Sequence, residues 1–119
     1  MTAVKLNLPT IEKGATYSHT VYWRAADKTT PIDITNCTAK MQIRPTVDSS
    51  VLLGELSTAN GRIILVGSTG KITLSIPSSD TGGLVATKDA VYDLEIYYPA
   101  KAVRLIEGKV TIKEEVTRG

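Results

Sequence analysis

The sequence predicts an all-β fold, an antiparallel β-sandwich of about seven to eight strands. The first observation is that Cys37 to Arg44 alternates apolar and polar residues without interruption. A period of two places successive side chains on opposite faces of a strand and cannot form one apolar stripe on a helix. The second is the low aromatic content, 5% with no Phe, so that Val, Ile and Leu must fill the interior. The third is the turn chemistry of Gly, Pro and Asn between the alternating stretches.

The central strand runs from Cys37 to Arg44 and has a neighbour earlier in the chain. It follows a turn over Pro31–Asn36 and ends at Pro45, which cannot donate to a ladder. Ala15–Arg24 alternates in the same way, with His19 on its apolar face. Because the connection between the two strands is short and polar, the sequence predicts that they pair as an antiparallel hairpin.

The middle of the chain predicts a meander. Val51–Ser57 is a weak strand, and Asn60-Gly61, which tolerates positive φ, predicts a hairpin back to Arg62–Val66. A turn at Gly67–Gly70 then leads to a strand over Lys71–Ile76. Ser78-Ser79-Asp80 follows and predicts about one helical turn before the glycine pair.

The register of the last hairpin follows from counting residue pairs outward from its turn. Turning at Pro99-Ala100 places Ile96 opposite Val103, Leu94 opposite Leu105 and Glu95 opposite Arg104. The parity changes after Leu105, and the sequence predicts a β-bulge at Gly108 that resets it. The predicted interior is Tyr17, Val21, Trp23, Cys37, Ala39, Met41, Ile43, Ile72, Leu74, Ile76, Tyr92, Leu94, Ile96, Val103, Leu105, Val110 and Ile112.

The N-terminal segment alternates Val4, Leu6 and Leu8 before Pro9 and predicts a short edge strand or an arm. Two alternatives stay open: the segment closes the chain's own sandwich, or it packs on a neighbour. These three residues and the two tyrosines just before the Pro99-Ala100 turn form the predicted interaction surface: Val4, Leu6, Leu8, Tyr97 and Tyr98.

Length and composition set the broad class. The 119 residues predict one domain over 1–119, and a net charge of +2 with scattered Lys and Arg argues against nucleic acid as a partner. The sequence has neither a signal peptide nor a stretch long enough to span a membrane, so we expect cytoplasmic synthesis and no membrane. The lone Cys37 allows no intrachain disulfide and is expected to be a buried apolar residue.

No catalytic chemistry is apparent in the sequence. The single His19 lies on an apolar strand face, and Asp93 with Glu95 offers fewer oxygens than calcium requires. Nucleophile, P-loop and dinucleotide motifs are missing. The sequence therefore predicts a non-enzymatic protein without catalytic residues, metal or cofactor, and with no small-molecule ligand.

Turn residues between alternating strands form one pattern over nearly the whole chain. Its parts are Glu12–Tyr17, Pro31–Pro45, Gly70–Pro77, Val91–Ile96 and Arg104–Ile112. In this order they resemble a family of small immunoglobulin-like structural proteins of tailed bacteriophages and prophages, and the N-terminal domain of phage upper baseplate proteins. The chain departs from the family pattern at Asn36, where a Gly is typical, and at His19, where an aliphatic residue is typical.

The resemblance implies a virion protein made in the bacterial host cytoplasm. Its role would be an adaptor or decoration of the tail, baseplate or neck, present in several copies and bound to other phage structural proteins, for example a fibre. The alternative is a free-standing carbohydrate-binding or adhesion sandwich. Such modules display a row of exposed aromatic side chains, for which Tyr22, Tyr97 and Tyr98 are the candidates.

Overall fold

Two β-sheets face each other around one apolar core in the computed structural model, which describes residues 3–25, 27 and 29–117. The strands within these residues are β1 (Val4–Lys5), β2 (Ile11–Glu12), β3 (Tyr17–Tyr22), β4 (Thr38–Arg44), β5 (Gly54–Ser57), β6 (Ile63–Val66), β7 (Lys71–Ile76), β8 (Thr87–Tyr97) and β9 (Ala102–Lys113). A 3-10 turn over Gly67–Thr69 joins β6 to β7, and the helix α1 is Ser78–Thr81. The predicted all-β sandwich is confirmed.

The larger sheet has the order β1-β9-β8-β4-β5, and β2 also pairs with β9. The smaller sheet has the order β3-β7-β6. Every pairing is antiparallel except those of β1 and β2, which run parallel to β9. The predicted hairpin of β6 with β7 and the single helical turn after β7 are confirmed.

The core lies between the inward faces of the two sheets. In β4 the residues Ala39, Met41 and Ile43 are buried, as the alternation predicts. The same holds for most of the predicted interior, namely Tyr17, Ile72, Leu74, Ile76, Tyr92, Leu94, Ile96, Leu105, Val110 and Ile112. Four predicted core residues are only half-buried, and each lies at or near the end of its strand, where fewer neighbours cover it: Val21, Trp23, Cys37 and Val103.

The predicted hairpin between the second strand and the central strand is wrong. β3 pairs with β7 in the smaller sheet, and β4 pairs with β5 and β8 in the larger one. The connection includes a bridge between Arg24 and Pro31 and then buries Ile34 in the core. Asn36 then adopts φ of 64°, the left-handed conformation that Asn tolerates, before β4 begins. The connection therefore carries the chain from one sheet to the other.

The predicted hairpin at Asn60-Gly61 is also wrong, since β5 and β6 belong to different sheets. Of the two residues only Gly61 has positive φ, so the two-residue hairpin turn is not formed. The Asn60 side chain instead closes the turn: its Oδ1 accepts from the Ser57 amide at 2.9 Å, and its Nδ2 donates to the Glu55 carbonyl at 3.0 Å. The dipeptide makes a turn between layers.

The final hairpin has the predicted register next to its turn. Ile96 lies opposite Val103 and Glu95 opposite Arg104. The predicted pairing of Leu94 with Leu105 is wrong, because the register shifts there and Leu94 lies opposite Ile106. The extra residue is Leu105 and not Gly108, which is regularly paired with Tyr92. Because the bulge precedes Ile106, both Leu105 and Ile106 are buried.

Candidate interaction surface

The N-terminal segment, defined here as residues 3–13, lies along β9 of its own chain. Val4 pairs with Ile106, and the Leu6 amide donates to the Glu107 carbonyl at 2.9 Å. Farther on, the Leu8 amide donates to the Lys109 carbonyl at 3.0 Å. Of the two alternatives left open by the sequence, the backbone therefore follows the first and completes the chain's own sheet.

The hydrogen bonds of this segment also involve two tyrosines that the sequence predicts only as interior residues. The Tyr92 hydroxyl donates to the Leu6 carbonyl, and the Tyr17 hydroxyl donates to the Pro9 carbonyl at 3.2 Å. Burial raises the pKa of Tyr17 to about 12 and raises the pKa of Tyr92 as well. Both hydroxyls therefore keep their protons over the physiological range and hold the segment in place.

Gly108 makes room for the segment. A Cβ atom built on Gly108 would lie 2.7 Å from the carbonyl carbon of Leu6 and closer still to its oxygen. These atoms belong to the backbone, so no side-chain rotation would relieve the contact. Gly108 therefore allows two backbones to approach closely. The sequence predicted a bulge at Gly108 instead, which is the other common role of glycine in a strand.

The three alternating residues of the segment separate into two groups. Leu8 is 7% exposed and belongs to the core, whereas Val4 is 63% exposed and Leu6 38% exposed. Val4 and Leu6 are fixed on the outside because the backbone that carries them is paired with β9. They are the exposed aliphatic residues of the predicted interaction surface.

The tyrosines of the predicted surface do not form an aromatic row. Tyr97 lies on the outer face of the larger sheet, where its hydroxyl donates to Glu95 Oε1 at 2.8 Å. Tyr98 follows it and packs partly against the core, with Lys101 Nζ 4.7 Å from its ring centre. Tyr22 is 50% exposed and belongs to the smaller sheet. Because the two sheets face away from each other on their outer sides, these rings offer no continuous stacking platform.

The outer face of the larger sheet carries a band of paired charges. Arg104 reaches two carboxylates of β8, with Nε 3.4 Å from Asp93 Oδ2 and Nη2 3.5 Å from Glu95 Oε2. At the N-terminal edge of the sheet, Lys5 Nζ lies 3.1 Å from Glu107 Oε2. Burial raises the pKa of Asp93, and Arg104 opposes that shift. The band is a solvated ionic surface in which opposite charges already pair.

A shallow groove of about 490 Å³ crosses this band beside the N-terminal segment. Arg44, Tyr92 and Lys109 line it together with charged residues of the band. Arg44 is held by the Gln42 side chain at 2.9 Å and by the Ser49 carbonyl at 3.3 Å. The groove is open to solvent, and charged side chains stand around it.

The residues with potential for chemistry are dispersed. His19 is half-buried on the inward face of β3, opposite Leu74. Cys37 is half-buried near Tyr98, and burial followed by the charge of Asp33 raises the pKa of its thiol. Among residues 3–25, 27 and 29–117, His, Cys, Asp and Glu form no group of three suited to a metal ion. The same residues include no helix long and apolar enough to cross a membrane.

The edges of the two sheets differ in how far they are covered. In the larger sheet the N-terminal segment covers β9, and the turn after β5 occupies the other edge. There the Glu55 carbonyl accepts from Asn60 Nδ2 and from Arg62 Nη1, each at 3.0 Å. In the smaller sheet β3 and β6 are the outer strands, and β7 is the partner of each. The sequence did not predict that this turn covers the β5 edge, because Asn60-Gly61 is typical of a hairpin.

Comparison of the chain with models of known protein families and with curated proteins found no match.

Proposed function

We propose that the chain is a non-enzymatic structural protein of a tailed bacteriophage particle, an immunoglobulin-like adaptor or decoration subunit of the tail, baseplate or neck. It attaches to other virion proteins, such as a fibre or a neighbouring ring, in several copies. The site of action would be the assembled virion, after synthesis in the host cytoplasm. The family resemblance of the sequence supports the phage assignment, and the β-sandwich is the architecture that the resemblance implies.

The observation that carries the proposal is that Val4 and Leu6 are exposed on a segment whose backbone is fixed. Parallel pairing with β9 holds both residues in place, so a partner that covers them does not have to order a loose chain first. Exposed apolar residues of this kind are typical of protein–protein contacts. The polar band beside them supplies a rim of charged groups, which interfaces commonly have around their apolar centre.

The proposal is tested in purified particles. A tagged copy of the chain is expressed during growth of the phage, or induction of the prophage, whose genome encodes it, and particles are separated from free protein on a density gradient. We expect the chain in the particle fraction at a fixed copy number. Its absence from every particle, together with binding of the free monomer to an oligosaccharide, would refute the structural role in favour of the carbohydrate-binding alternative.

The proposed surface is tested by substitution, because deletion would remove paired backbone. The double variant Val4→Thr with Leu6→Thr keeps residues that suit a strand and changes the free energy of unfolding by about 1 kcal/mol or less, as expected for exposed sites. We expect it to fold and to be lost from particles. The matched control is Val85→Thr, which makes the same kind of change at an exposed residue outside this surface and should still be incorporated. Equal incorporation of the double variant would show that the partner binds elsewhere.

A further inference from the structure

We propose that two copies of this chain associate through the free edge of β6, so that their three-stranded sheets join into one continuous sheet across a twofold axis at Ile64. The partner is therefore a second copy of the chain, bound by antiparallel strand addition. The inference rests on the proposed function only in assigning the chain a protein–protein role. It names the surface and the occupant that the proposed function leaves open.

The hydrogen-bond parity of the smaller sheet shows which groups of β6 are free. The Ser75 amide donates to the Arg62 carbonyl at 2.8 Å, and in an antiparallel ladder such bonds recur at every second residue. Arg62, Ile64 and Val66 therefore direct their backbone groups to β7. Ile63 and Leu65 direct theirs to the opposite side, where the described residues place no other strand.

The free N–H and C=O groups of β6 can pair with the same groups of β6 in a second copy of the chain. In an antiparallel pairing centred on Ile64, Ile63 lies opposite Leu65 of the other copy, and Leu65 lies opposite its Ile63. Each such pair exchanges both of its N–H and C=O groups. A register centred on Ile63 or on Leu65 would use only one of these pairs within the strand. The twofold register at Ile64 is therefore the one that satisfies all the free groups of β6.

The side chains of β6 favour the same pairing. Ile64 is 54% exposed and Val66 41% exposed on the outer face, and Ile64 would lie directly opposite its own copy. The strand contains no charged residue, so a second copy meets no like charge in register. Natural edge strands are usually protected by charged residues, prolines or bulges, none of which occurs in β6.

The other edges are less suited to a second copy. On β5 the outward carbonyl of Glu55 already accepts from Asn60 and Arg62. At the opposite edge of the larger sheet the outer strands β1 and β2 carry the charged residues Lys5 and Glu12, which protect an edge against strand addition. The remaining outer strand, β3, presents polar residues on its outer face, with Arg24 stacked 4.8 Å from the Tyr22 ring centre at its end. Among the described outer strands, β6 alone combines unpaired backbone and exposed aliphatic side chains with a sequence that has no charged residue.

The test measures self-association of the full chain by sedimentation velocity over a range of concentrations. We expect the sedimentation coefficient to rise with concentration. Ile64→Lys places two like charges face to face in the twofold register and should raise the dissociation constant at least about tenfold. The matched control is Thr20→Lys on the outer face of β3, which adds the same charge to the same sheet and should leave the dissociation constant unchanged.

Disulfide trapping tests the register. In a Cys37→Ala background, Ile64→Cys places two thiols in a non-hydrogen-bonded pair, in which the Cα atoms of facing residues lie about 4.5 Å apart, a separation that a disulfide can span. Mild oxidation should give a covalent dimer from Ile64→Cys and none from Thr20→Cys. A wild-type chain that stays monomeric up to about 1 mM, an Ile64→Lys variant that associates like wild type, or cross-linking through Thr20→Cys alone would overturn the proposal.

The outcomes separate this inference from the proposed function. A chain that is monomeric alone but is incorporated into particles overturns the β6 dimer and leaves the virion role supported. A chain that dimerises through Ile64 but never enters particles supports the dimer and contradicts the virion role.

Discussion

Gly108→Ala is the substitution that most directly tests how the N-terminal segment is held. The added methyl group would lie closer to the Leu6 carbonyl than the Cβ atoms of real residues lie to their neighbours, so the segment has to move away from β9. The hydrogen bond that the Leu6 amide donates to the Glu107 carbonyl, at 2.9 Å, would be broken. The bond from the Tyr92 hydroxyl to the Leu6 carbonyl would be lost with it.

The magnitude follows from these contacts. Loss of two hydrogen bonds at roughly 0.5–1.5 kcal/mol each predicts a destabilisation of about 1–3 kcal/mol if the shift stays local. If the displacement also removes Leu8 from the core, its burial contributes about 1.5–3 kcal/mol more. The expected total is therefore about 1–6 kcal/mol, and the value within that range reports how much of the segment detaches.

The free energy of unfolding is measured by urea titration, with the fluorescence of Trp23, the only tryptophan, as the probe. Amide hydrogen exchange at Leu6 and Leu8 reports local detachment, and both amides should lose protection in Gly108→Ala. The matched control is Gly83→Ala, whose added Cβ would make an ordinary contact of 3.6 Å and should change stability by about 0.5 kcal/mol or less. Wild-type stability and full protection of Leu6 in Gly108→Ala would refute the reasoning.

Three further predictions concern the core, the ionic band and alkaline pH. Met41→Ala should cost about 2–5 kcal/mol through lost burial and a cavity, and Gln42→Ala about 0.5 kcal/mol; equal costs in urea titration would contradict the assigned strand faces. Arg104→Gln should cost only about 0.2–1 kcal/mol, and its cost should shrink in high salt if the contact with Glu95 is ionic. Tyr17 has a folded-state pKa of about 12, above its ordinary value of 10.0, so stability should fall as pH rises from about 10 to 12. Tyr17→Phe should weaken that pH dependence, and an unchanged profile by circular dichroism would assign it to other groups.

Local sequence patterns determined which side chains face the core. The alternation in β4 correctly placed Met41 and Ile43 inward, and pairing around the Pro99-Ala100 turn correctly placed Glu95 opposite Arg104. These features depend on residues that are close in the chain, because a strand's faces follow from its period and a hairpin's register from its turn. The all-β class follows from the same periodicity.

Only the tertiary structure decided which strands are neighbours. Both sheets turn an apolar face to the same core, so an inward-facing pattern fits either sheet, and the turns after β3 and β5 join the layers instead of closing hairpins. The bulge lies at Leu105 and not at the predicted Gly108, because at Leu105 two adjacent residues, Leu105 and Ile106, are both buried. The exposure of Val4 and Leu6 was likewise decided by parallel pairing with β9, about a hundred residues away in the chain. Contacts at such separation leave no local pattern in the sequence, because their partners are brought together only by the packing of the whole sandwich.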